Sequence, residues 1–257
     1  PLGTNLGNLG SLSRPVYSAI AKEGNNYFVF ITNYQNGTLT RLAFGNSLTN
    51  TPVASNLGNL GGILPINIEG IQIKKDPASG NWYGQIAGGP NNNLISLSFG
   101  NSLSNTPIAS NLGNINSLMN YPHTVYTFQE GNNWYSFIGN YNSNSLIRLS
   151  YGNSLANIPT ASNIGNIGSL DGPVGFHPII DNEIWYLFVT NQNNSTLSRL
   201  NFGNSLLNTP TGVNLGNING TFNDPRSITI IRDCDEVYGF IVNRITNDIV
   251  SLTYPNG

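Results

Sequence analysis

Four asparagines stand at matched places in the chain, each followed by a side chain able to bind something. Asn33 precedes Tyr34, Asn140 precedes Tyr141, Asn191 precedes Gln192 and Asn243 precedes Arg244. Shortly before each of these lies a second stretch that supplies Arg14, then Tyr121 and His123, then Asp171, then Asp224 and Arg226. A side-chain amide donates and accepts at once, which suits sugar hydroxyls, while the faces of Tyr suit the apolar side of a sugar ring or a peptide. The candidate ligand-binding set is therefore Asn33, Tyr34, Tyr121, His123, Asn140, Tyr141, Asn191, Arg226, Asn243 and Arg244. A plainer alternative is that each Asn bonds the backbone of its own loop. Tyr34 and Tyr141 are harder to explain in that way.

Signals for catalysis are weaker. Glycoside hydrolysis generally wants two carboxyls facing one bond. Glu23, Asp76, Glu130, Asp181 and Glu183 fall in turns away from the candidate set, and Asp171 and Asp224 stand near it. There is no nucleophile elbow, phosphate loop or metal motif. His123 and His177 have no third nitrogen or thiolate to complete a zinc site. Asp233–Cys234–Asp235–Glu236 could offer carboxylates to Ca²⁺ but lacks a full ligand spacing. Cys234 stands alone, which excludes a disulfide framework. The expectation is a protein that is not an enzyme and uses no cofactor or metal.

The elements that must position these residues are repeats. Asn5–Leu6–Gly7–Asn8 returns at Asn56, Asn111, Asn163 and Asn214, and Phe44–Gly45–Asn46–Ser47–Leu48 returns at Phe99, Tyr151 and Phe202 and starts again at Tyr254. Both phrases recur every 51 to 55 residues. A repeat of about 50 residues indicates a propeller or a solenoid. The chain opens with the tail of a repeat and closes with the head of one. Such halves suit a ring, where an N-terminal strand is sewn into the last blade and no long edge stays unpaired.

One repeat reads as four strands. Tyr121–Phe128 has Pro122 near its head, Trp134–Gly139 is aromatic, Leu146–Tyr151 follows an Asn-rich loop, and Pro159–Asn166 is weaker. Hairpin turns join strands of about 5–6 residues into a blade. No apolar 3.6-residue period survives across the chain, so no helix is expected. The fold expected is an all-β, five-bladed β-propeller of four-stranded antiparallel blades, its N-terminal strand completing the last blade. As one domain, the blades fall at about 13–59, 60–114, 115–166, 167–217 and 218–257 plus 1–8. In each, six positions separate the end of the second strand from the start of the third, as from Asn33 to Leu39 and Gly88 to Leu94. Trp82, Trp134 and Trp185 share a register position suited to packing between blades. Arg41, Arg148 and Arg199 share another, from which a guanidinium would bond carbonyls of the adjacent blade. Leu48, Leu103, Leu155 and Leu206 would plug their hairpins, although four equal hairpins could also serve a multivalent ligand.

Bulk properties narrow the class. The formal charge is −2 with 9% charged residues, so the basic footprint of a nucleic-acid binder is missing. No apolar run approaches the ~20 residues of a membrane span, so direct membrane insertion is not expected. Asn is the commonest residue, with 29 Gly beside it, a composition that favours turns and an extracellular or cell-surface location. The start at Pro1 and the single Met119 point to a processed chain or a piece of a longer one, whose neighbouring domains would be partners.

Phe30–Leu39 and Phe188–Leu197 resemble the YVTN-type repeat of secreted and surface-layer propellers. The wider frame is similar to NHL-type repeats: Pro, a strand, a Gly–Asn turn, an aromatic strand, an Asn-rich loop and a Leu-rich strand. That resemblance implies the propeller fold and extracellular recognition. The functional expectation is a non-catalytic recognition or adhesion propeller whose Asn/Tyr-rich loops bind a glycan or protein ligand. The alternatives are a structural interaction module of a large exported protein and a propeller hydrolase of lactonase or glycosidase type.

Overall fold

The computed structural model describes residues 5–234 and 236–254. Among these, nineteen strands form five antiparallel sheets, the arrangement of a five-bladed β-propeller. The first blade contains β1 (Pro15–Glu23), β2 (Asn26–Asn33), β3 (Thr38–Gly45) and β4 (Val53–Asn56), paired in chain order. The second contains β5 (Ile71–Lys75), β6 (Trp82–Ala87), β7 (Leu94–Gly100) and β8 (Ile108–Asn111). β9 (Pro122–Glu130), β10 (Asn133–Asn140), β11 (Ser145–Gly152) and β12 (Thr160–Gly165) make the third. The fourth is β13 (Pro173–Asp181), β14 (Ile184–Asn191), β15 (Thr196–Gly203) and β16 (Thr211–Asn214). The fifth has three strands among the described residues, β17 (Pro225–Asp233), β18 (Glu236–Asn243) and β19 (Asp248–Tyr254). Its expected fourth strand, residues 1–8, falls in part on residues 1–4, outside the described residues, and Asn5–Asn8 lie in no strand. The helical content is three single 3₁₀ turns among the described residues.

The chain divides into two compact units, Pro1–Tyr135 with Ser150–Thr160, and Ser136–Leu149 with Ala161–Gly257. The first holds the first and second blades complete; the second holds the fourth and fifth.

Local chemistry explains both repeated phrases. In Asn–Leu–Gly–Asn the first Asn accepts from the Gly amide two residues on, as Asn56 Oδ1 does from Gly58 at 2.8 Å and Asn214 Oδ1 from Gly216 at 2.7 Å. The second Asn closes the following loop, Asn114 Oδ1 accepting from Met119 N and Asn217 Oδ1 from Phe222 N, each at 2.7 Å. These short side-chain bonds replace a backbone turn with an Asx turn. In the hairpin phrase Asn50, Asn105, Asn157 and Asn208 each donate to the carbonyl six residues back at 2.8 Å. Leu103, Leu155 and Leu206 are buried as plugs, whereas Leu48 is 48% exposed. Arg41 Nη1 donates to the carbonyls of Leu103, Ser104 and Asn105, and Arg148 Nη1 to those of Leu206 and Leu207. Arg41 and Arg148 are thus clamps on the next repeat's hairpin, while Arg199 lies 5.3 Å over the Tyr186 ring.

Candidate functional site

Each first strand is preceded by a residue in the left-handed region: Arg14, Asn67, Tyr121 and Asp224 at φ between 50° and 65°, and Gly172 at 64°. For a side-chain-bearing residue this region costs about 1 kcal/mol. The cost is met at the same place in each repeat, and it turns the chain so that the loop after the second strand can pair with it. Tyr34 N donates to Arg14 O, Gln192 N to Gly172 O and Arg244 N to Asp224 O, all near 3 Å.

In the first unit, Asn33 is fully buried; its Oδ1 accepts from Ser13 N at 3.0 Å and its Nδ2 donates to Thr38 Oγ1 and Thr40 Oγ1. Tyr34 is half-buried under the Arg14 guanidinium, 4.6 Å above its ring. The second blade has Gly88 where the others have this Asn. A Cβ there would stand 1.6 Å from Asn93 Oδ1, so the side chain of Asn93 occupies the place that an Asn at 88 would fill.

The densest cluster is built on the head of β9. His123 is 5% exposed, and its Nδ1 lies 2.8 Å from Tyr17 Oη of β1. Its Nε2 stands 3.7 Å from Oε2 of Glu69, a carboxylate only 4% exposed, just ahead of β5. The tautomer that satisfies both contacts has Tyr17 donating to Nδ1 and the Nε2 hydrogen facing Glu69. Glu69 is fixed through its backbone, its N–H donating to Ala87 O and its carbonyl accepting from Thr32 Oγ1. Tyr121 lies 6.2 Å from the His123 ring, and its N–H donates to Asn92 Oδ1. Gly89 makes room for this group: a Cβ there would fall 2.4 Å from Asn67 O, 3.2 Å from Glu69 Cγ and 3.3 Å from Tyr121 Cε2.

In the second unit, Asn191 and Asn243 repeat the role of Asn33. Asn191 Oδ1 accepts from Asp171 N and its amide donates to Thr196 Oγ1 and Ser198 Oγ. Asn243 Oδ1 accepts from Asn223 N and its amide donates to Thr221 O and Asp248 Oδ1. Asn140 is buried and donates to Ser145 Oγ. Tyr141 Oη donates to Asn193 Oδ1 at 2.6 Å, and Asn193 Nδ2 donates to Asp171 Oδ1 at 3.1 Å. Asp224 is buried between Arg226, at 3.1 Å, and Arg244. Among the described residues no group of three or more His, Cys, Asp and Glu is placed to hold a metal ion, and Asp235 of the acidic turn lies outside them.

Of the sequence-derived candidates, the structure brings Tyr121 and His123 together and joins Arg226 to Arg244 through Asp224. The loop asparagines bond within their own repeats. Sequence reasoning missed Glu69 and Tyr17. The second repeat has Ile68 where the others carry the strand-head Pro, so nothing marked Glu69 as the counterpart of His123. The first turn of that repeat is two residues longer, so Glu69 stands 19 residues before Gly88 where His123 stands 17 before Asn140, and counting back by the common spacing reaches Ile71 instead.

No protein-family model matches the chain, so the YVTN and NHL resemblance extends only to the propeller fold. No curated protein sequence matches it either. Solved structures do. The exo-β-1,3-galactanase from Clostridium thermocellum superposes on 92% of this chain with a TM-score of 0.64 and 12% identity, and the chain spans 58% of that protein's length. The α-L-arabinofuranosidase from Podospora anserina, in complex with cellotriose, aligns over 91% of this chain and 84% of its own, with a TM-score of 0.61 and 12% identity. A GH43 β-1,3-galactosidase with galactodeoxynojirimycin aligns over 92% and 89%, with a TM-score of 0.60 and 8% identity. These likenesses establish the fold. They also contradict the expectation of a non-catalytic adhesion or interaction module, because these three propellers, each aligned over more than nine-tenths of this chain, are glycoside hydrolases. That expectation rested on assigning the acids to outer turns, and it did not include the buried carboxylate at the head of β5.

Proposed function

We propose that this chain is a glycosidase-like propeller that cleaves a glycosidic bond, with Glu69 supplying the acid. The observation that carries the reading is the Tyr17–His123–Glu69 relay, a buried carboxylate faced by an imidazole whose other nitrogen is held by a phenol. A carboxyl so placed can protonate the leaving-group oxygen as the bond to the anomeric carbon breaks, and the water that completes hydrolysis gives up a proton in turn. Tyr121, beside His123, offers a ring face to the sugar. Hydrolysis also takes a second carboxylate, to activate water or to attack the anomeric carbon. The Asn-rich, weakly charged composition accords with action outside the cell.

The test is release of reducing sugar from β-1,3-galactan, arabinofuranosides and xylo-oligosaccharides. Glu69→Gln should lower kcat/KM by about 10²–10⁴ without unfolding the protein. A wild-type chain that cleaves none of these, or a Glu69→Gln variant as active as wild type, would sink the reading.

A further inference from the structure

In the second unit, three charged side chains meet at the head of the fifth blade. Asp224 precedes β17, Arg226 is the second residue of that strand, and Arg244 follows β18. Strand register equates them with Gly172, Val174 and Gln192 in the fourth blade, and with Arg14, Val16 and Tyr34 in the first. In the fourth blade the same backbone frame forms with no charge at these places. Packing of a blade therefore does not call for the trio.

The charges do not cancel. Asp224 is 6% exposed and faces two guanidinium groups, which leaves a net charge of +1. Arg244 donates to its Oδ2, whereas Nε of Arg226 stands 3.1 Å from its Oδ1 without the alignment of a hydrogen bond. The next acid along the chain past Arg244, Asp248, accepts from Asn243 and Thr246 and pairs with neither arginine. Each guanidinium carries five N–H donors. Among the described residues Asp224 is the one side-chain partner of both, so most of those donors are unused, although the Arg226 side chain is only 29% exposed. Gln192 opens the loop whose Ser195 Oγ accepts from the Asp224 amide at 3.1 Å. Its Oε1 is buried with no hydrogen-bond partner among the described residues.

We propose that Arg226 and Arg244 bind the carboxylate of an acidic sugar, a hexuronate unit of a glycan. Asp224 holds the two guanidinium groups together against their mutual repulsion, and their unused N–H groups serve the two oxygens of the ligand. Planar guanidinium and planar carboxylate match in this way through parallel charge-assisted hydrogen bonds. The ligand's charge brings the site to neutrality, and Gln192 Oε1 accepts from a hydroxyl of the same sugar. That a sugar carries the carboxylate rests on the glycosidase reading; the anion site itself does not.

The probes are D-galacturonic and D-glucuronic acid, each titrated into the full chain by calorimetry, with galactose and inorganic sulfate as comparisons. Binding is read without cleavage, so a chain that hydrolyses nothing can still show this site, and one that hydrolyses neutral glycans can still lack it. One-to-one saturation by a uronate is expected with Kd near 1 mM or below, weakening as salt is added, and none by galactose. Arg244→Gln and Arg226→Lys should each weaken it about tenfold or more at unchanged Tm, since the lysine keeps a charge beside Asp224 but loses the planar fork. Wild-type affinity in both variants overturns the proposal, as does galactose bound equally well or no saturation by either uronate at about 10 mM. Sulfate bound as tightly as the uronates would overturn the assignment to a sugar acid.

Discussion

Nε2 of His123 lies 3.7 Å from Oε2 of Glu69, with both side chains almost fully withdrawn from solvent. A buried charge is tolerated only when it is paired or hydrogen-bonded, so the state of His123 and that of Glu69 depend on each other. Tyr17→Phe removes the partner of His123 Nδ1 and should cost about 1 kcal/mol of stability, read from urea unfolding. It should also displace the pH–rate profile on a cleaved substrate, an effect that a purely structural hydroxyl would not produce. An unchanged profile would assign Tyr17 to packing alone.

Among the hairpin leucines, burial alone should set the cost of truncation. Leu103→Ala empties a seat with no solvent access and should cost about 2–5 kcal/mol. Leu48→Ala, at a half-exposed position in an identical phrase, should stay within about 0.5 kcal/mol. Chemical denaturation of the two variants separates a buried plug from a surface residue, and equal losses would contradict the burial argument.

Two glycines with the same left-handed backbone should respond differently to alanine. At Gly37, φ is 62° and a Cβ would lie 2.3 Å from Pro65 O, so the backbone itself must move. At Gly58, φ is 70° and a Cβ would meet nothing within 4 Å. Gly58→Ala should cost about 1–2 kcal/mol from conformation alone; Gly37→Ala should cost clearly more, with a Tm drop at least twice as large.

His177, half-buried on β13, has its pKa lowered because burial disfavours the imidazolium. The unfolded chain therefore takes up this proton at a higher pH than the folded one. Stability from this group is fully present above about pH 6.5, the unfolded value, and is lost as pH falls through the depressed folded value. Between pH 7.5 and pH 5 the wild-type unfolding midpoint should drop more than that of His177→Gln. Parallel curves would show that His177 is not part of the acid response.

The two repeated phrases were legible because their bonds are local. Asn105 reaches Phe99 O six residues back, and Asn56 caps Gly58 two residues on, so the phrase and its geometry travel together. The arginine clamp was legible from register alone, since a guanidinium recurring within apolar strands needs carbonyls to receive it. The loop asparagines were less transparent. An exposed ligand amide and a buried pin have the same sequence, and burial at Asn33, Asn191 and Asn243 distinguishes them.

By itself the sequence determined the blade: strand length and turn chemistry follow from contacts within about 50 residues, which a repeat restates until it cannot be missed. Tertiary structure decided the chemistry. Tyr17, Glu69 and His123 come from three different repeats, and Glu69 sits in the one whose strand head lacks the marking Pro. Their meeting depends on how inner strands face one another, a long-range consequence of packing that no local pattern encodes. The same holds for the pocket at Tyr254. Its residues read as ordinary blade positions in the sequence, and only their packing gathers them around one pocket.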